Sequence, residues 1–214
     1  MCLEGGCGVP SALLASSDGH FRRCRHNISC LAAFFYCEKK QLNMKEMKPI
    51  VSIIMGSTSD LPVMEKACQF FEEMEIPFEV NALSAHRTPQ EVGDFARNAQ
   101  GRGIRVIIAG AGMAAALPGV IAAETALPVI GVPIKGSVLE GLDATFAIMQ
   151  MPPGIPVATV AINGAQNAAI LAMQMLALAD EGLMRKLTAY KSGLKKKIVK
   201  ANEELAQLQY KYKC

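Results

Sequence analysis

A chain of 214 residues with 51 % hydrophobic and 19 % charged content is sized for one domain with a sizeable core. Its formal net charge of +3 is unevenly spread: residues 49–182 hold 6 Lys/Arg against 13 Asp/Glu, residues 183–214 hold 9 against 2, and residues 1–48 hold 7 against 4. No basic face interleaved with aromatics and no apolar run of spanning length occurs, which argues against nucleic-acid and membrane partners. So little charge on a small chain points instead to surface hidden in a homo-oligomer.

Residues 1–48 show no hydrophobic period, no helix caps and no continuity with the pattern that begins at Pro49. Five of the seven cysteines (Cys2, Cys7, Cys24, Cys30, Cys37) fall there, in spacings that suit zinc poorly. With no secretory pattern, the thiols read as free in a reducing, cytoplasmic compartment. The patch Leu31–Tyr36 behind Arg22, Arg23 and Arg25 faintly resembles a targeting segment, but no cleavage pattern accompanies it. The preferred reading is an extension, residues 1–43 being dispensable, with Met44 and Met47 just before the first strand. The single catalytic domain then spans 49–214.

From Pro49 the pattern is regular. Strands are expected at 50–55, 78–83, 105–109, 128–132 and 157–162. All but the second are nearly continuous apolar runs, as in parallel strands covered on both faces. Val63, Met64, Ala67, Phe70, Phe71 and Met74 form a helical stripe after the first strand, and Val92, Phe95, Ala96 and Ala99 another after the second. The latter helix opens with Thr88-Pro89-Gln90-Glu91, a cap, a first-turn proline and a glutamate three residues after the cap. Residues 164–180 are apolar nearly all round and are expected to be fully buried. The β–α alternation predicts an α/β fold, a three-layer α/β/α sandwich on a parallel sheet.

The last helix, 182–209, carries a narrow seam: Leu183, Leu187, Tyr190, Leu194, Ile198, Ala201, Leu205 and Leu208 recur in steps of three and four, with Lys195, Lys196, Lys197 and Lys200 mostly off it. It suits packing on a neighbouring subunit. The Lys run also reads as a solvated face.

In an open parallel sheet, ligands bind beyond the carboxyl ends of the strands. The first such loop, Gly56-Ser57-Thr58-Ser59-Asp60, offers hydroxyls and N–H groups at a helix start, an anion site or plain capping by Ser59. It is not a Walker loop. The second, Ser84-Ala85-His86-Arg87-Thr88-Pro89, holds His86, the one histidine after residue 48. Arg87 and Lys135 are the two basic residues near this edge. Histidine both takes and gives protons near neutrality, and arginine suits bidentate phosphate contact. A capping or packing histidine is the plainer alternative. The third loop, Gly110–Gly119, is almost free of polar side chains. It either admits a planar ligand close to the backbone, walls a dry cavity, or only packs a helix on a strand.

Met55-Gly56-Ser57-Thr58-Ser59-Asp60, Ser84–Pro89, Ala109-Gly110-Ala111-Gly112, Leu117-Pro118-Gly119, Pro128–Pro133 and Gln150-Met151-Pro152 together resemble the N5-carboxyaminoimidazole ribonucleotide mutase family, the class I form of the catalytic subunit of phosphoribosylaminoimidazole carboxylase. The resemblance covers about 49–190. It implies a flavodoxin-like sheet, a homo-octamer and carboxyl transfer in purine biosynthesis with no cofactor and no metal. It further implies that His86 is the catalytic proton carrier, and that Ser57, Asp60 and Arg87 bind the ribonucleotide, with phosphate on the Ser and Arg side and ribose near Asp60. Ser59 and Ser84 are neighbours of the ligand, and Gly112, Met113, Ala114 and Leu117 complete the substrate-binding set.

The third loop departs from the class I pattern, with Met113 where a glycine is usual and Ala116 where a second histidine is usual. Class II, which takes free carbon dioxide, also lacks that histidine. Arg87 and the Ala109–Gly112 run keep the class I character. A flavin- or nucleotide-binding module is the rival from another class, though flavin rings usually stack on Trp or Tyr and these loops have neither. A structural oligomer without chemistry would leave His86-Arg87 unexplained.

Overall fold

The structure, a computed structural model, describes residues 47–212. The expected extension 1–43 lies outside these residues. Five parallel strands, β1 (Val51–Met55), β2 (Phe78–Ala82), β3 (Val106–Gly112), β4 (Val129–Ile134) and β5 (Ala158–Thr159), pair in the order β2-β1-β3-β4-β5. This is the flavodoxin-like order. Helices are α1 (Leu61–Met74), α2 (Pro89–Arg102), α3 (Leu117–Glu124), α4 (Leu142–Met149), α5 (Ala165–Ala177) and α6 (Glu181–Ala206).

Two cores flank the sheet, giving the three expected layers. On one side Val51, Ile53, Ile108 and Ile130 meet α1 and α5, with Leu187 of α6 closing the edge. On the other, Ile54, Ile107 and Val129 meet α2, α3 and α4. Every residue of β1 and β4 is buried, which accounts for their nearly continuous apolar sequence; the one polar residue, Ser52 of β1, donates its hydroxyl to Glu79 Oε1 at 2.9 Å. The outer strand β2 is half-exposed. Phe71 is wholly buried and Phe70 meets Tyr190 edge-on at 5.3 Å; emptying such a site costs about 3–5 kcal/mol.

Several expectations are corrected. Regular β5 has two residues rather than six. It is an edge strand preceded by Pro152, Pro153 and Pro156, which cannot donate to a ladder; beyond it only isolated bonds, such as Val160 N to Gly131 O at 3.1 Å, continue the pairing. Helix α5 buries one stripe (Ala165, Ala168, Ala169, Ala172, Met173, Leu176), while Ile170, Leu171 and Met175 remain half-buried. Helices α3 and α4 lie outside the elements expected from sequence. Leu142, Phe146 and Met149 are exposed while Ala144 and Ile148 are buried, so α4 is apolar on both faces and shows no amphipathic period.

The seam of α6 divides. Leu183, Leu187 and Tyr190 pack on the body, whereas Leu194, Ile198, Leu205 and Leu208 are exposed. Among the described residues no helix is long and apolar enough to cross a membrane.

Candidate active site

The strand order reverses between β1 and β3: the chain leaves β1 for α1 on one face, and leaves β3 for α3 on the other. A crevice opens there. The loops after β1, β2, β3 and β4 line a cavity of about 600 Å³, within the roughly 300–1,000 Å³ usual for small-molecule sites.

The β1 loop supplies Gly56, Ser57, Ser59 and Asp60. Ser57, not Ser59, caps the short 3-10 turn that precedes α1, its hydroxyl accepting from Ser59 N at 3.3 Å. Ser59 instead donates its hydroxyl toward Asp60 Oδ1 at 3.5 Å. Burial pushes the Asp60 carboxyl above its usual range, against the opposing pull of its hydrogen bonds with Ser57 and Ser59.

The β2 loop supplies Ser84, Ala85, His86 and Arg87. The Thr88 hydroxyl accepts from Ser84 N at 2.9 Å and donates to Ser84 O at 3.0 Å. These bonds close residues 84–88 into a turn with His86 at its apex. The expected capping box is therefore absent: α2 starts at Pro89 as anticipated, but the Thr88 side chain makes no cap bond because it is committed to the turn. His86 itself is exposed. Arg87 folds back, its Nε donating to Ser84 Oγ and its Nη2 to Gly56 O, both at 3.3 Å. The guanidinium thus bridges the first two loops and keeps its remaining donors for a ligand.

The β3 loop supplies Gly112, Met113, Ala114, Ala115 and Ala116, and the first residue of α3, Leu117. Leu117 and Ala115 are buried, and they form an apolar floor. Met113 is 69 % exposed and does not wall a dry space in the single chain. Its φ of 55° is left-handed, a conformation that glycine adopts without strain. Gly110, just behind the loop, serves packing: a Cβ there would lie 2.5 Å from Met64 Sδ of α1.

Every residue assigned to the site from sequence, from Ser57 to Leu117, borders this one cavity. The sequence reading did not assign Ile134, Lys135 and Gly136, which line it from the β4 side; the strand-end rule would have found them had β4 been drawn two residues longer. No group of three or more His, Cys, Asp or Glu suited to a metal occurs among the described residues.

Residues 50–197 match the AIR carboxylase family. The chain belongs to that family. Among AIR carboxylase relatives, the N5-carboxyaminoimidazole ribonucleotide mutase of Pyrococcus horikoshii is 52 % identical over 167 residues, 78 % of this chain and 94 % of the relative. The mutase of Thermotoga maritima is 53 % identical over 163 residues, 76 % and 95 % of the two chains. The phosphoribosylaminoimidazole carboxylase of Candida glabrata is 50 % identical over 170 residues, 79 % of this chain but 30 % of that longer protein. The crystal structure of Treponema denticola PurE superimposes with a TM-score of 0.67 at 27 % identity, covering 73 % of this chain and 98 % of the other.

Proposed function

We propose that the chain is an N5-carboxyaminoimidazole ribonucleotide mutase of purine biosynthesis, converting that carbamate to 4-carboxy-5-aminoimidazole ribonucleotide in the cytoplasm. The carrying observation is that His86, the apex of a closed turn, borders the same cavity as Ser57, Asp60 and Arg87. The relatives named as mutases, of which this chain spans nearly the whole length, support the reading.

The chemistry suits these groups. A 5-aminoimidazole is an enamine, nucleophilic at C4. When the carbamate C–N bond breaks, carbon dioxide leaves and the exocyclic nitrogen takes a proton. C4 then attacks carbon dioxide and carries both a proton and a carboxylate, and loss of that proton restores the aromatic ring. A single imidazole serves both transfers, giving a proton to nitrogen and taking one from C4. Ser57 and Arg87 hold the phosphate and Asp60 the ribose, which fixes the ring against Gly112, Ala114 and Leu117 for carbon dioxide to be recaptured.

Association into a homo-octamer belongs to the same proposal. Its support is the exposed Leu194 and Ile198 of α6 and the exposed Leu142, Phe146 and Met149 of α4; the number eight comes from the family resemblance. Subunits packed about Met113 would also complete the apolar wall.

The test is His86→Asn assayed with the carbamate, beside the uncarboxylated ribonucleotide plus bicarbonate. Turnover of the carbamate falls about 100- to 10,000-fold while substrate affinity is largely kept. Near-normal turnover would overturn the mechanism, and preference for bicarbonate would show direct carboxylation instead.

A further inference from the structure

Arg87 is not the lone fixed cation of the cavity. Lys135, the first residue after β4, lines it from the far side. Between the β2 loop that carries Arg87 and the β4 loop that carries Lys135 lie three interstrand steps, about 14 Å at the usual strand spacing. The Arg87 guanidinium reaches one step back to Gly56 O, so the two cations stand about two interstrand steps apart, roughly 10 Å, across the pocket. The ligand proposed above also has two anionic ends, a phosphate on the ribose and a carboxylate on the ring. With Ser57 and Arg87 on the phosphate, the carboxylate faces the β4 side.

The β4 loop is built to present this lysine. Lys135 N donates to Asn163 Oδ1 at 2.9 Å, fixing the backbone where the strand ends. Glu140 and Gly141 then take left-handed φ values of 55° and 89° and fold the loop back on itself. A Cβ at Gly141 would lie 3.1 Å from Lys135 Cα, so the approach requires glycine. The fold-back sets the Glu140 carboxylate on the Lys135 ammonium in an ion pair. Both side chains are more than half exposed, at 52 % and 65 %, and an exposed pair is worth only about 0–1 kcal/mol. Another carboxylate displaces Glu140 at small cost.

We infer that Lys135 is the carboxylate-reading residue of the site, with Glu140 as the internal carboxylate that the substrate's own displaces. The carbamate nitrogen is carried by C5, the ring carbon next to C4, so one flexible ammonium reaches the carboxylate before and after transfer. Lys135 accordingly sets the preference for carboxylated over uncarboxylated ribonucleotide, while Arg87 and Ser57 bind both alike. This inference rests on the mutase reading of the cavity.

The experiment measures equilibrium binding of 4-carboxy-5-aminoimidazole ribonucleotide and of the uncarboxylated ribonucleotide to the full chain and its variants, with KM and kcat alongside. Lys135→Gln weakens the carboxylated ligand about 10- to 30-fold, the lower part of the range for a charged hydrogen bond because the site is half open. It changes the uncarboxylated ligand less than about 2-fold, and the catalytic loss falls mainly on KM. Lys135→Arg restores the carboxylated affinity, and Glu140→Gln tightens it by up to about 5-fold. Equal weakening of both ligands by Lys135→Gln, no weakening of either, or failure of the Arg variant to rescue overturns the inference and leaves the mutase reading standing. If the unsubstituted protein binds neither ribonucleotide, the mutase reading fails and this inference with it.

Discussion

Replacing Arg87 by Met removes the guanidinium while keeping a flexible side chain of similar length. Two of its N–H groups are engaged, by Ser84 Oγ and Gly56 O, so the guanidinium is already oriented and its other donors face the cavity. The anchors are exposed and 3.3 Å long, so their loss alone hardly moves stability. A charged hydrogen bond to phosphate is worth about 1.5–3 kcal/mol, which is about 10- to 150-fold in kcat/KM, and it appears mostly in KM because the contact exists before and during reaction. The assay follows turnover of the carbamate ribonucleotide and of the same compound lacking its phosphate, at one fixed salt concentration. Arg87→Met loses the stated factor on the nucleotide and almost nothing on the nucleoside. Arg87→Lys falls between, because an ammonium keeps the charge but cannot bridge Ser84 and Gly56 while also forking a phosphate. Equal losses on nucleotide and nucleoside would refute the assignment of phosphate to Arg87.

The same geometry dictates other outcomes. Burial raises the Asp60 carboxyl, so ionising it opposes folding: the penalty is absent below the carboxyl's unfolded range and appears as pH rises through the higher folded value. Asp60→Asn should therefore raise Tm at pH 7, leave it unchanged in acid and weaken ribonucleotide binding; a lower Tm at pH 7 in calorimetry contradicts this. Gly131→Ala would set a methyl 3.0 Å from Val157 Cγ1 and closer still to buried Ile148; overpacking of about 1–3 kcal/mol lowers Tm by roughly 2–12 °C. Light scattering should give about eight times the 22.9 kDa chain mass, and Ile198→Asp, at a 66 % exposed seam position, should reduce it. An active monomer would refute the octamer.

How far the fold can be read from sequence depends on what each segment touches. Strands β1, β3 and β4 are covered on both faces and so are written as apolar runs. Helices α1 and α2 each bury one stripe, Met64-Ala67-Phe70-Phe71-Met74 and Val92-Ala96-Ala99, so the 3.6-residue period is visible. The same rule hides α4, whose Leu142, Phe146 and Met149 are apolar without being buried in the single chain. It also misleads at α5, where an apolar sequence implies full burial although only one stripe is buried. In α5 the half-buried Ile170, Leu171 and Met175 still pack on the core, whereas in α4 the residues facing away from it are apolar. An interface with another subunit is the physical reason that would make those residues of α4 apolar.

The site is legible where chemistry is rare and obscure where backbone does the work. His86 and Arg87 stand out because the core sequence has few basic residues and the strand-end rule says where to look. Thr88 reads as a helix cap, since nothing local reveals that its hydroxyl closes the 84–88 turn. Met113 reads as part of an apolar wall, and its sequence neighbours do not disclose a left-handed φ. Lys135 is visible at the sheet edge but remains outside the assigned site, because its place depends on β4 ending at Ile134 and on Glu140-Gly141 folding back. Neither is a property of lysine. Polar side chains announce what a pocket can bind, but the turns that aim them are fixed by backbone angles and long-range bonds, and these decide which of several charged groups reaches the ligand.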